Sequence, residues 1–127
     1  MKRFTFALAA VLALASASTA MAHHSAGQEF DLSKTVTLKG VVSQVDWMNP
    51  HIYFTMDVRE ADGSVTKWRI ETVPVAFARK SGITKELIMD AGKPVELTAA
   101  PGWREPHLGW AKRLTLSDGR TVQFSGE

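Results

Sequence analysis

The hydrophobic and polar positions of the chain divide it into one continuous apolar run near its start and a series of alternating segments after it. Residues 4–15 are almost all apolar and directly follow Lys2 and Arg3. This run is shorter than the roughly 20 apolar residues that a membrane-spanning helix needs. A short basic start followed by such a run is typical of a secretory signal peptide.

The residues after the apolar run fit a cleavage site. Ala20-Met21-Ala22 follows the small-x-small rule of signal peptidase. We therefore predict a signal peptide over residues 1–22, a mature chain that begins at His23, and an exported, periplasmic location. Cleavage after Ala20 and an uncleaved anchoring helix remain as alternatives.

The remainder of the chain alternates mainly with the period of β-strands, and turn residues separate the alternating segments. Asp62-Gly63 is a hairpin signal, and the apolar positions change parity between Gly40 and Gln44, which indicates a bulge. A helix is predicted to begin at Pro74 and to end before Gly82. Strands are predicted over residues 35–47, 51–59, 65–72, 95–99 and 110–116.

The order of three strands, a helix and two strands predicts the fold. It is the order of an OB-fold, a small five-stranded Greek-key barrel whose binding face is bordered by the loops that join strands one to two and four to five. We therefore expect an all-β domain with one short helix over residues 35–127, preceded by an irregular N-terminal arm over residues 23–34. An open meander with a packed helix is the alternative.

Charge and composition narrow the function classes. The chain has 15 Lys and Arg against 13 Asp and Glu, and no cysteine. Loss of Lys2 and Arg3 with the signal peptide leaves 13 basic and 13 acidic residues. The predicted mature chain therefore lacks the excess of positive charge that nucleic-acid binding requires. No disulfide or thiolate site is available, and no membrane span is expected in the mature chain. A protein partner is not identified by any motif.

All four histidines fall in the predicted mature chain, and they are the candidate metal ligands. A free N-terminal His23 would chelate an ion through its amine and ring, and His24, His51 or His107 would add imidazole. Imidazole nitrogen suits copper and zinc, and Met48 is a possible soft extra ligand. The alternative is a solvated start at His23-His24, with His51 as a surface strand residue.

Four further residues are candidate ligand-binding positions: Trp47, Asn49, Glu71 and Trp103. Trp103 lies in a loop, where an exposed aromatic ring can stack on a sugar or a base. Asn49 is also an ordinary turn residue. Glu71 should face away from the inward Ile70, which predicts a surface acid on the third strand.

No catalytic residue is assigned, because no nucleophile, metalloprotease or phosphate-binding motif occurs. The leading hypothesis is a small exported binding module for copper or zinc. The alternative is an OB-type module that binds a saccharide, peptide or protein without metal, with Tyr53 and Trp110 as further contacts. A redox enzyme with a histidine-bound copper is the least favoured interpretation.

Several stretches match one family pattern when they are taken together. They are His23-His24-Ser25, Phe30-Asp31, residues 36–42, residues 45–51, Trp68 with Glu71, Gly82, and Asp118-Gly119-Arg120. In these stretches the chain resembles a family of small exported bacterial proteins of unknown function. The resemblance implies an exported compact β domain and adds weight to the His-His and Asn-Pro-His segments and to Glu71. The Trp103–His107 loop departs from the pattern, so His107 ranks below His51.

Overall fold

The computed structural model describes residues 25–124. The predicted signal peptide, His23 and His24 lie outside the described residues. The described chain forms six strands and three short α-helices, and none of these helices is long and apolar enough to cross a membrane. In chain order they are α1 (Ala26–Glu29), β1 (Val36–Asp46), β2 (Tyr53–Arg59), β3 (Val65–Glu71), α2 (Val75–Lys80), α3 (Lys85–Met89), β4 (Pro94–Pro101), β5 (Leu108–Thr115) and β6 (Thr121–Gln123).

Strands β1 to β5 close into a barrel. β1 pairs antiparallel with both β2 and β4, β2 pairs with β3, and β4 pairs with β5. A parallel pairing of β3 with β5, in which Glu71 lies beside Trp110, completes the circle. The predicted five-stranded barrel is therefore confirmed, and the short strand β6 extends it at β5.

The long first strand bends at a bulge. Its register against β2 shifts between Val42 and Gln44, because Ser43 is an extra residue on the β1 side. The bulge accounts for the change of parity in the sequence. Just before it, Gly40 approaches β2 so closely that a Cβ would lie 2.2 Å from the Asp57 carbonyl oxygen. Only glycine fits this position without movement of the backbone.

The barrel interior is filled by the apolar side chains that alternate along the strands. These include Leu38, Val42, Val45, Phe54, Met56, Ile70, Val95, Leu97, Ala111 and Leu114. Two short helices connect β3 to β4, where the sequence predicts one. In α3 the Thr84 hydroxyl accepts a hydrogen bond from the Leu87 amide, a capping contact that starts the helix. Ile88 of α3 is fully buried.

The segment before β1 is docked on the outside of the barrel. It contains the one-turn helix α1, although the sequence led us to expect an irregular arm. Phe30, only 1% exposed, packs with Ala100 and Leu108 and partly covers Trp110. Backbone hydrogen bonds from Asp31 to Pro101 and from Trp103 to Glu29 reinforce the contact. The arm and the barrel together form a second, smaller apolar cluster on the outer surface of the barrel.

Candidate functional site

A histidine and a buried carboxylate meet where β2 begins and β3 ends. His51 Nδ1 lies 2.5 Å from Glu71 Oε1. The Glu71 side chain is only 7% exposed, whereas that of His51 is 28% exposed. A buried carboxylate that holds one ring nitrogen fixes both the orientation and the tautomer of a histidine. The pair therefore presents Nε2 of His51 in a defined direction.

The burial of Glu71 corrects the expectation of a surface acid. Its side chain does point out of the barrel, opposite the interior residue Ile70, as the alternation predicts. However, Glu71 pairs with Tyr53 on one side and with Trp110 on the other, and the ring of His51 contacts Trp110 at 5.6 Å. These neighbours cover the carboxylate, which leaves the residue 5% exposed.

One atom of this pair lacks a partner. Oε2 of Glu71 is buried without a close hydrogen bond from any described residue, although the phenol of Tyr53 is placed to donate to the carboxylate. The described part of the chain also offers no hydrogen bond to Nε2 of His51, whose one side-chain bond is made through Nδ1. Burying a carboxylate oxygen without a donor is costly. The site therefore combines an oriented imidazole nitrogen with a buried carboxylate whose charge is only partly compensated.

Tyr53 and Arg69 give the site its remaining electrostatic character. Burial raises the pKa of Tyr53 to about 12, and a hydrogen bond to the Glu71 carboxylate adds to that rise, as do the negative charges of Glu71 and Glu29. The Arg69 guanidinium lies 4.2 Å from the centre of the Tyr53 ring and opposes the rise. Arg69 also reaches Asp46, at 3.6 Å. The phenol therefore stays protonated near neutral pH and can act as a hydrogen-bond donor there.

The docked arm approaches this site from the side of β5. Phe30 contacts Trp110 at 5.7 Å between ring centres, and Trp110 in turn contacts His51. The negative charge of Glu29, at the end of α1, contributes to the raised pKa of Tyr53. The arm and the His51–Glu71 pair therefore occupy the same region of the barrel's outer surface.

His107, a candidate ligand for the same metal ion as His51, contacts β3 at a different point from the His51–Glu71 pair. The backbone of His107 has a φ of 59°, and its ring contacts Trp68 at 5.3 Å. Trp68 precedes Glu71 by three residues on β3, which corresponds to roughly 10 Å along the strand. Within residues 25–124, no three His, Asp or Glu side chains form a group that could hold a metal ion by itself.

Two of the predicted ligand-binding residues form no hydrogen bond or ring contact with the pair. Trp47 is half-buried, packs on the core and lines a groove beside the connection from α2 to α3. Asn49 is exposed and is joined to Pro50 by a cis peptide bond in the turn between β1 and β2. The structure assigns neither of them a contact with His51.

Trp103 lines a separate groove of about 410 Å³ between the arm and the loop after β4. The residue remains 56% exposed although its indole N–H donates to the Gly27 carbonyl at 3.1 Å. Gln28, Glu29, Arg104, Glu105 and Leu108 complete the groove. Glu29 belongs to this groove and also influences Tyr53, so the groove neighbours the His51–Glu71 site.

Arg69 and Glu29 are site residues that the sequence reasoning missed. A signal for Arg69 was available, since it shares the outward parity of Glu71 on β3. No local pattern pointed to Glu29, because its position depends on how the arm docks.

Comparison with known proteins agrees with the resemblance in the sequence. Residues 10–116 match a family of unknown function, DUF6152, and the chain belongs to this family. No curated protein and no solved structure matches the chain. The function of this family is unknown, so the family assigns no activity to the chain.

Proposed function

We propose that this chain is an exported binding module for copper or zinc, in which His51 supplies the central ligand. The observation that carries the proposal is the 2.5 Å contact between His51 Nδ1 and the buried Glu71 carboxylate. Histidines that bind metals commonly donate their second ring N–H to a carboxylate, which orients the ring and makes the ligating nitrogen more basic. His51 and Glu71 have this arrangement, with Nε2 left for the ion.

The charge of the site also favours a cation. Glu71 is buried with Oε2 unpartnered. A cation bound at Nε2 of His51 would partly compensate this negative charge through the short hydrogen bond. The aromatic ring of Trp110 shields one side of the imidazole, and a drier surrounding strengthens the electrostatic attraction.

His23 and His24 are the proposed additional ligands. They immediately precede Ser25, the first described residue. The helix α1 (Ala26–Glu29) is about 6 Å long, and Phe30, directly after it, is connected to His51 through the ring of Trp110. Two further residues extend the reach by up to about 7 Å. An N-terminal His23, with its amine and imidazole, would complete a nitrogen-rich set that suits copper(II) or zinc.

Calorimetric titration of the purified protein with Cu(II) and with Zn(II) tests the proposal, once mass spectrometry has established the N-terminus. We expect His51→Ala to weaken binding at least about tenfold and Glu71→Gln to weaken it by roughly 10- to 100-fold, since outer-shell partners tune affinity by that amount. One extra residue before His23 should weaken binding if the amine is a ligand.

His107→Asn is the matched control. It removes an imidazole that lies away from the site, and asparagine tolerates the positive φ of this position. The control should bind metal like the parent protein. Equal affinity of the parent and His51→Ala for both ions would refute a role for His51, and an N-terminus that starts before His23 would refute the amine chelate.

A further inference from the structure

We propose that the groove beside Trp103 is a binding site for a neutral oligosaccharide, separate from the metal site at His51. The proposal rests on the position of the Trp103 ring and on the polar groups around it. It does not depend on metal binding, so either proposal can fail without the other.

Trp103 is an exposed aromatic ring that is nevertheless held in place. Its indole N–H bonds to the Gly27 carbonyl at 3.1 Å, and its backbone N–H bonds to the Glu29 carbonyl at 2.9 Å. A ring that is fixed before binding loses little side-chain entropy when a ligand covers it. Trp103, which is 56% exposed as a residue, thus offers a platform for stacking.

The polar groups around the ring suit hydroxyl groups. Arg104 contributes guanidinium donors, and the carboxylates of Glu29 and Glu105 are acceptors. Leu108 adds an apolar contact on the same groove. Sugar rings combine an apolar C–H face, which packs on the electron-rich face of an aromatic ring, with hydroxyl edges that both donate and accept hydrogen bonds. The groove offers a partner for each of these surfaces.

The charges argue against other ligands that stack on tryptophan. Two carboxylates and one guanidinium give this groove a net negative charge, which repels the phosphates of a nucleic acid. The groove of about 410 Å³ has room for only a short segment of a chain. Its mixed polar edge and single aromatic platform match a few sugar units of an uncharged glycan.

The test is an NMR titration of the ¹⁵N-labelled protein with cellohexaose, chitohexaose and maltohexaose, with a chelator present. The indole N–H of Trp103 is identified by its loss in Trp103→Phe. We expect at least one hexasaccharide to shift this resonance and the backbone amides of Arg104 and Glu105 saturably. Arg104→Ala, in an exposed loop, should weaken binding several-fold without change in the remaining spectrum.

Trp103→Phe should retain weaker binding, because a smaller ring still stacks, and Trp103→Ala should lose at least about tenfold in affinity. His51→Ala should bind the saccharide like the parent protein, which separates this site from the metal site. The proposal is overturned if none of the three saccharides shifts the Trp103 resonance, if Arg104→Ala binds unchanged, or if the shifts centre on Trp47 instead.

Discussion

Glu71 ends a strand with its side chain outside the barrel, yet it is as buried as the core. Three aromatic or imidazole rings, those of Tyr53, Trp110 and His51, enclose it. A carboxylate in such surroundings must be compensated by donors or by positive charge. His51 provides one donor and the Tyr53 phenol a second, and the proposed cation would add positive charge.

The ionisation of Tyr53 can be measured without overlap, because Tyr53 is the one tyrosine of the chain. Its pKa reflects the burial of the phenol beside Glu71. Its tyrosinate absorbance, titrated with a chelator present, should show a pKa of about 12. Glu71→Gln should lower that pKa, since it removes a nearby negative charge, although burial will keep it above the ordinary value of about 10. An unchanged pKa in Glu71→Gln would show that the carboxylate has no influence on the phenol.

The same shift predicts a loss of stability in alkali. The folded-state pKa lies above the unfolded value of about 10, so the unfolded chain releases the phenolic proton first. The contribution of Tyr53 to stability is therefore complete below about pH 10 and is lost as the pH rises to about 12. Urea unfolding of the parent and of Tyr53→Phe across this range should show a steeper decline in the parent.

At the scale of elements, the bent strand β1 determines where the site lies. β1 pairs with β4 along the first half of its length and with β2 along the second half, which contains the bulge at Ser43. The turn after β1 then brings His51 to the start of β2, next to the end of β3. Gly40 stands where both pairings overlap, opposite Val58 and Val95.

Gly40→Ala should destabilise the fold by more than about 2 kcal/mol. Its Cβ would lie 2.2 Å from the Asp57 carbonyl oxygen, and this backbone atom cannot move without disturbing the pairing of β1 with β2. Urea unfolding measures the change. Gly27→Ala is the matched control, because its Cβ would meet only Leu32, at an ordinary 3.6 Å, and alanine in helix α1 should leave the stability unchanged or raise it by up to about 1 kcal/mol.

At the scale of the whole molecule, the arm and the barrel form one unit. The arm contributes Phe30 to a cluster with Ala100 and Leu108, and Lys112 on β5 donates to the Lys34 carbonyl and the Thr35 hydroxyl. Both proposed binding sites depend on this contact, since the arm supplies Glu29 to the saccharide groove and leads to the histidines proposed for the metal.

Phe30→Ala should therefore cost about 3 kcal/mol in the free energy of unfolding, as expected for removal of a buried aromatic ring. It should also loosen the arm, which limited proteolysis would detect as earlier cleavage before β1, and weaken metal binding. Leu32→Ala, at an exposed position of the same arm, should leave stability and proteolysis nearly unchanged. Identical proteolysis of Phe30→Ala and the parent would contradict the anchoring role of Phe30.

The sequence by itself determined the order of the strands, the bulge in β1, the helix between β3 and β4, and the outward direction of Glu71. These features are local, because alternation, turn residues and caps act over a few neighbouring positions. His51, Glu71 and Trp103 could accordingly be singled out as candidates from the sequence.

Only the tertiary structure decided which of these candidates meet. The contact of His51 with Glu71 spans 20 positions, and that of Trp103 with Gly27 spans 76. Alternation assigns a side chain to one face of a strand but does not reveal what covers that face. The closure of β3 on β5 places Trp110 beside Glu71 and helps to bury it, and the docking of the arm brings Gly27 to Trp103. Packing between distant segments therefore creates the site.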